Sequence, residues 1–216
     1  MSPGQAGLDP ARTITIVSGL PRSGTSMMMQ MLEAAGFEIA TDGRRVADRD
    51  NPKGYYELDA VKRLREDASC LVEAVGRAVK VVAPLLPSLS DDHDYRVIFV
   101  ERELDEVLAS QRAMLDRTQA SDAQPGDDTL KRAYENQLSE VKSWLVRQPN
   151  VRAVFVAHCL ALRSPERVAR SVADFLSATG GFPEDSSQPG ARDSRIEAMA
   201  RIVDARLHRH HLAAID

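Results

Sequence analysis

The chain has 216 residues, of which 43% are hydrophobic, and its formal net charge is −4 at pH 7. These values exclude a disordered chain and predict one sizeable α/β domain, or one domain with a small appendage. The acidic balance gives no reason to expect nonspecific binding to nucleic acid.

Three further features concern the cellular compartment. No apolar run approaches the roughly 20 residues that a membrane-crossing helix needs, and the opening stretch "MSPGQAGLDPAR" lacks the basic-then-apolar pattern of a secretory signal. The two cysteines, Cys70 and Cys159, are too few for a disulfide framework and fit a reducing compartment. We therefore expect a cytoplasmic protein that binds neither nucleic acid nor a membrane.

The first half of the chain predicts alternating strands and helices. A flexible arm (1–11) precedes a short β-branched strand, "TITIVS" at 13–18, and a helix that ends at Gly36. A weak strand, "FEIA", leads into the polar stretch "TDGRRVADRDNPKGYYE", and a connection of that length is often functional. Residues 58–75 then have apolar side chains at helical spacing.

The second half continues the same alternation. Strands are predicted at 78–83, 95–100 and 151–157, and helices at about 104–115, at about 130–145 and from 165, with Ser164 as the N-cap. The domain predicted in this way spans residues 12–179. A linker (180–193) and a C-terminal segment (194–216) follow, and the segment carries a helix that packs on or near the domain.

Strands that alternate with helices imply right-handed βαβ units. The sequence therefore predicts an α/β, P-loop three-layer fold, with a central, mainly parallel five-stranded sheet covered by helices on both faces. Ligands of such sheets bind at the carboxyl ends of the strands. We expect the loop after the first strand and the ends of the third and fourth strands to form one crevice.

The loop after the first strand, "GLPRSGTS", has the spacing of a phosphate-binding loop. Gly19 and Gly24 match G-x-x-x-x-G, but Thr25 stands where the nucleotide-hydrolysing version carries lysine, and Arg22 is the basic residue of the loop. Backbone N–H groups ahead of a helix bind anions. The alternative is a tight turn without a ligand; the Thr25–Ser26 pair and the flanking strand and helix favour phosphate binding.

The missing lysine narrows the choice of anion. In nucleoside-triphosphate enzymes, lysine and Mg²⁺ carry the charge of the β and γ phosphates, and an aspartate ends a neighbouring strand. Here "VIFVER" ends in Glu101 and Arg102. The loop therefore favours an anion of lower charge that arginine holds without an obligatory metal, such as a sulfonyl group bridged to a 5′-phosphate.

These stretches resemble sulfotransferases that use 3′-phosphoadenosine 5′-phosphosulfate (PAPS). "GLPRSGTS" is similar to the family's 5′-phosphosulfate loop, and "VERELDEVLASQRAM" is similar to its 3′-phosphate motif at Arg102 and Ser110. A weaker likeness lies in "VFVAHCLALRSPERVARSVADFL", and "DNPKGYYE" resembles bacterial members. The resemblance covers roughly residues 13–178.

The resemblance also implies site residues. Arg22 would be catalytic, since it would neutralise the oxygen that bridges phosphate and sulfonyl as the bond breaks. Arg102 and Ser110 would hold the 3′-phosphate, and His158 would lie near the adenine. The 5′-phosphosulfate would contact six consecutive residues: Pro21, Arg22, Ser23, Gly24, Thr25 and Ser26.

The sequence departs from the family at the general base. Cytosolic members follow their third strand with K-T-H-x-P; here "KVVAP" keeps Lys80 as a catalytic residue but has Val82 in the histidine position. Glu57 is the best candidate base, with Asp48 and Asp50 behind it. If Glu57 is not the base, it caps the helix predicted near Leu58.

A second departure is the absent C-terminal R-K-G contact to the 3′-phosphate. Arg192, Arg195 and Arg201 are candidates to replace it. The methionines of the first helix are predicted to fill the core rather than to line an acceptor pocket. The histidines of "HRHH" (208–211) are predicted to be a solvated helix end rather than a metal site.

The sequence thus predicts a PAPS-dependent sulfotransferase that releases 3′-phosphoadenosine 5′-phosphate (PAP) and requires no metal. It would transfer the sulfonyl group to a hydroxyl or amine of a small-molecule acceptor. A P-loop small-molecule kinase and a catalytically degenerate nucleotide-binding module are the alternatives. The oligomeric state is open, with a homodimer among the options.

Overall fold

Five parallel strands form one sheet in the computed structural model, which describes residues 7–44, 54–118, 127–183 and 190–204. In space the strands follow the order β2-β3-β1-β4-β5. Their bounds are β1 Thr13–Gly19, β2 Ile39–Ala40, β3 Ala78–Lys80, β4 Asp94–Glu101 and β5 Val151–Ala157. All neighbouring pairs among them are parallel.

β1, the central strand, and its neighbour β4 are buried along their whole length, apart from the last residue of β4. Alternating side chains of β1 serve opposite faces of the sheet: Ile14 and Ile16 belong to one apolar cluster, and Val17 belongs to the other. Gly19 pairs with Val100, so the carboxyl ends of β1 and β4 lie at the same level. The loops that leave these two strands are therefore neighbours.

Helices cover both faces of the sheet, which confirms the predicted three-layer α/β architecture. One apolar cluster joins the sheet to α1, α4, α5 and α6, and the other joins it to α3 and three short 3-10 helices. The α-helices are α1 Thr25–Ala34, α2 Leu104–Thr118, α3 Asp127–Arg147, α4 His158–Arg163, α5 Pro165–Ala178 and α6 Ala191–Ile202. These three 3-10 helices are Asp59–Arg63, Ser69–Ala74 and Ala83–Ser88, and a fourth, Pro10–Arg12, precedes β1.

The helical spacing of residues 58–75 does not produce one helix. Two of the 3-10 helices occupy this stretch, and the Asp67 carboxylate accepts the Ser69 N–H at 2.9 Å in the turn between them. That side-chain bond offers the backbone an alternative to continued helix. Val61, Leu64 and Leu71 are still buried against the sheet, but Val72, which has the same helical spacing, is exposed, so burial follows the predicted positions only in part.

Other boundaries differ less from the predictions. β3 ends at Lys80 rather than 83, because a 3-10 helix with an internal proline begins at Ala83. The six-residue α4 directly after β5 was not predicted. Asp48, Asp50 and the histidines of 208–211 lie outside the described residues.

The methionines of α1 belong to the core. Met28, Met29 and Met31 are fully buried in the cluster that joins α1 to α5 and α6, and Met27 packs against it. This resolves the choice between core and acceptor pocket in favour of the core.

Within the described residues, no helix combines the length and the apolar character needed to cross a membrane.

Candidate functional site

The loop between β1 and α1 approaches its neighbours so closely that glycine is required at both of its ends. Gly19 has φ = 153°, and a Cβ there would collide with Ser23 Oγ and the Val100 carbonyl oxygen. Gly24 has φ = 103°, and a Cβ there would lie 2.5 Å from Cδ2 of His158. The G-x-x-x-x-G spacing thus reflects two close contacts, one with β4 and one with α4.

The same loop offers donors to an anion. The first N–H groups of α1, from Thr25 onward, have no partner within the helix, and the N-cap Gly24 supplies no side-chain cap. Ser23 is 1% exposed, and its Oγ lacks a hydrogen-bond partner among the described residues. A buried, unsatisfied hydroxyl beside a helix N-terminus fits an anion site.

Arg22 links this loop to the end of β4 and to α2. Its Nε donates to Ser110 Oγ at 3.0 Å, and its carbonyl oxygen accepts from Nη1 of Arg102 at 3.0 Å. Arg22 also has φ = 70°, a backbone conformation that few residues other than glycine adopt. The two stretches that carry the sequence motifs therefore meet through one arginine.

Arg102, which lies between β4 and α2, is bonded to a carboxylate of α2. Its Nε donates to Oε2 of Glu106 at 2.9 Å, and the two side chains are only 8% and 11% exposed. Its bonds to Glu106 and to the Arg22 carbonyl oxygen place the Arg102 guanidinium over the start of α2 and toward the loop. Ser110, 3% exposed, takes part in this network through Arg22.

Lys80 forms a second group of contacts at the first turn of α1. Its Nζ donates to the Tyr55 carbonyl oxygen at 2.7 Å and to Ser26 Oγ at 3.3 Å, and it lies 3.6 Å from Oε1 of Glu57. The Lys80 side chain is 9% exposed. The structure thus brings together Ser26, Glu57 and Lys80. Sequence reasoning missed Tyr55, because a carbonyl contact leaves no residue-type signal.

The capping role considered for Glu57 belongs to another residue. The 3-10 helix begins at Asp59, and its N–H donates to Oδ2 of Asp42 at 2.8 Å. The Glu57 carboxylate instead lies beside Lys80 and is about a fifth exposed, at 22%. A carboxylate next to an ammonium group and open to solvent can receive a proton from a bound group.

The three C-terminal arginines are engaged elsewhere. Arg195 donates to the Ala35 carbonyl oxygen at 2.6 Å, which is the end of α1 opposite the loop. Arg192 is bonded to Asp174, and Arg201 to Glu197. Among the described residues, none of the three is bonded to the loop or to Arg102.

A cavity of about 280 Å³ opens where the loop, the end of β4 and the start of α4 meet. Ser23, Arg102 and Cys159 contribute to its wall, together with three carboxylates. Glu101 is neutralised by Lys142 at 2.5 Å, Glu103 is exposed and Glu106 is bonded to Arg102. His158, buried at the start of α4 next to Cys159, lies against Gly24 of the loop.

Comparisons with known proteins gave a similarity in structure but none in sequence to a family or a curated protein. No family model and no curated protein matches the sequence. A sulfotransferase from Alicyclobacillus acidocaldarius, known from its crystal structure, superposes with a TM-score of 0.45 and 17% sequence identity. The superposition covers 92% of this chain and 100% of that one.

Proposed function

We propose that this protein is a PAPS-dependent sulfotransferase that transfers a sulfonyl group to a hydroxyl or amine of a small-molecule acceptor. The observation that carries the proposal is the contact of Arg22 with both Ser110 and Arg102. These residues come from two motifs that lie 80 residues or more apart in the sequence. PAPS carries a 5′-phosphosulfate and a 3′-phosphate, and one site formed by both motifs suits such a molecule.

The fit of the loop to the 5′-phosphosulfate rests on three properties. The buried Ser23 hydroxyl lacks a protein partner among the described residues, the glycines let the loop pack tightly against β4 and α4, and α1 presents N–H groups. The residues proposed to contact this group are Pro21, Arg22, Ser23, Gly24, Thr25 and Ser26. His158 would border the adenosine because its ring lies against Gly24.

PAPS supplies an activated sulfonyl group, and the side chains of this chain would handle charge and proton. The acceptor oxygen or nitrogen forms a bond to sulfur as the bond from sulfur to the bridging phosphate oxygen breaks. Arg22 would neutralise the negative charge that develops on that oxygen, with Lys80 beside it. Glu57 would take the proton that the acceptor loses.

The kinase alternative requires a carboxylate at the end of β4 that holds Mg²⁺. Glu101 has that position, but its carboxylate is bonded to Lys142 at 2.5 Å. Glu101 stands in place of the aspartate of that mechanism, and Thr25 stands in place of its loop lysine. The arginine-rich site therefore supports sulfonyl transfer better than phosphoryl transfer, and we propose that transfer needs no metal.

Isothermal calorimetry with PAP, adenosine 5′-phosphosulfate and ATP–Mg²⁺ tests the proposal. We expect PAP to bind most tightly, because only PAP carries the 3′-phosphate that Arg102 and Ser110 would hold. Arg102→Ala should weaken PAP binding by about 1.5–3 kcal/mol, the usual value of a charged hydrogen bond. The same substitution should leave adenosine 5′-phosphosulfate nearly unaffected.

Two results would contradict the proposal. Equal affinity for PAP and adenosine 5′-phosphosulfate would mean that no 3′-phosphate site exists. Tightest binding of ATP–Mg²⁺ would favour the kinase. Tight PAP binding without transfer to any acceptor tested would instead indicate the degenerate nucleotide-binding module.

A further inference from the structure

The two residues proposed to hold the 3′-phosphate are both bonded to Arg22, and Arg102 is bonded to a carboxylate as well. Arg102 uses Nε for Glu106 and Nη1 for the Arg22 carbonyl oxygen, at 2.9 and 3.0 Å. Ser110 accepts from Arg22 at 3.0 Å. A phosphate that bonds to the Arg102 fork would thus approach a guanidinium that already holds an anion.

Among the carboxylates of the cavity wall, Glu106 would repel a phosphate bound at Arg102 most strongly. Its side chain and that of Arg102 are about nine-tenths buried, so water screens their interaction poorly. The other carboxylates of the cavity wall differ: Glu101 is paired with Lys142, and Glu103 is exposed to solvent. A phosphate dianion at Arg102 would therefore meet strong repulsion from Glu106 in particular.

We propose that Glu106 competes with the 3′-phosphate for Arg102 and thereby limits how tightly the bisphosphate nucleotide is held. This inference rests on the proposed function and assigns a determinant of nucleotide affinity to a residue outside the motif positions Arg102 and Ser110. When PAP leaves, the Glu106 carboxylate takes the place of the phosphate as the anion bonded to Arg102. The competition would weaken product binding and speed product release, a step that limits turnover in many enzymes.

Glu106→Gln tests the proposal, because glutamine keeps the shape and can still accept from Arg102 while it removes the charge. Glu103→Gln is the matched control: it removes the same charge from the same cavity, and no bond between Glu103 and Arg102 is observed. Calorimetry would give the affinity for PAP and for adenosine 5′-phosphosulfate, and stopped-flow fluorescence would give the rate of PAP release. Thermal unfolding would check that both variants are folded.

We expect Glu106→Gln to tighten PAP binding by about tenfold, the lower end of what one poorly screened charge contributes at close range. The release of PAP should slow by a similar factor, and affinity for adenosine 5′-phosphosulfate should change less than about twofold. Glu103→Gln should leave both affinities within about twofold of the wild type, since an exposed charge is well screened.

The outcomes separate this inference from the proposed function. If the wild type binds PAP and Glu106→Gln binds it equally or more weakly, Glu106 orients Arg102 or is neutral, and the inference is wrong. If both charge-removing variants tighten binding equally, the effect is general repulsion and the inference is also wrong. If neither the wild type nor Glu106→Gln binds PAP, the proposed function itself fails.

Discussion

Arg22 has both an unusual backbone conformation and a side chain that connects the loop to α2. Its backbone lies at φ = 70°, in the left-handed region, and its side chain reaches Ser110 on α2. Backbone strain in a residue other than glycine persists only where the surrounding contacts maintain it, and such residues cluster at functional sites. The carbonyl bond from Arg102 is one of those contacts.

Arg22→Ala should reduce turnover about 10²–10³-fold while it weakens PAP binding much less. The physical reason is that charge on the bridging oxygen develops only as the S–O bond breaks. Alanine at φ = 70° is strained as arginine is, so the comparison reports mainly on the side chain. Steady-state kinetics and calorimetry would measure the two effects.

A matched control for Arg22 is Arg192→Ala. Arg192 is bonded to Asp174 on the surface, away from the loop, and its loss should leave turnover unchanged. A loss of PAP affinity as large as the loss of turnover would assign Arg22 to uniform binding rather than to the transition state.

Glu57→Gln should lower turnover about 10²–10⁴-fold and leave PAP affinity unchanged, because glutamine cannot take the acceptor proton. The free energy of unfolding should change little, since the N–H of Asp59 is capped by Asp42 rather than by Glu57. Asp42→Asn provides the contrast: it should affect stability and spare turnover. Full activity of Glu57→Gln would show that another group is the base.

At the scale of elements, α6 is fixed to α1 through a helix end. Ile196 and Met199 of α6 lie in the apolar cluster with α1, and Arg195 donates to the Ala35 carbonyl oxygen. The last carbonyl groups of a helix lack intrahelical donors, and an arginine there also interacts favourably with the helix dipole. Gly36 follows with φ = 92° and lies directly against this guanidinium.

Gly36→Ala should destabilise the protein by about 2–3 kcal/mol. The left-handed backbone costs a residue with a Cβ about 1–2 kcal/mol, and displacement of Arg195 loses a hydrogen bond worth about 1 kcal/mol. Urea unfolding would measure the change.

Gly43→Ala separates the two contributions to the Gly36 effect. Gly43 has φ = 65°, and a Cβ there would contact no described residue within 4 Å, so its cost should be the backbone part alone. In an Arg195→Ala background the cost of Gly36→Ala should fall to that of Gly43→Ala. An unchanged cost would mean that the Arg195 contact contributes nothing.

The elements that the sequence predicted well are those whose residues specify them locally. β-branched runs predicted β1, β4 and β5 within about a residue, and Gly36 ends α1 with the positive φ expected of that position. The stretch 58–75 was predicted wrongly, because the spacing of its buried residues is as compatible with two 3-10 helices as with one continuous helix. The resemblance to a family motif singled out Arg102 and Ser110, but their connection through Arg22 depends on the sheet, which brings distant residues together.

At the scale of the whole molecule, the site is formed by strand ends that the parallel sheet aligns. The loop after β1, Arg102 after β4 and Cys159 in the helix after β5 all contribute to one cavity. Each part comes from a different βα connection, as expected for ligands at the carboxyl edge of an α/β sheet. The fold therefore supplies the crevice, and the loops supply its chemistry.

PAP should protect Cys159 from a thiol reagent such as a maleimide. Cys159 is exposed and lines the cavity with Ser23 and Arg102, so a nucleotide held by those residues would cover its sulfur. At a PAP concentration of about 100 times Kd only about 1% of the sites are free, which allows a slowing of up to about 100-fold. Mass spectrometry after timed labelling would measure the rate.

Cys70 is the internal control for this experiment. Burial raises the pKa of its thiol, so less of the reactive thiolate forms and labelling should be slower than at Cys159. Cys70 packs against the apolar cluster on the α3 face of the sheet and does not line the cavity, so PAP should not change its rate of labelling in the folded state. Equal protection of both cysteines would indicate that PAP acts through global stability. An unchanged rate at Cys159, with PAP binding seen by calorimetry, would mean that the nucleotide lies outside this cavity, since a reagent cannot reach a thiol that bound adenosine covers.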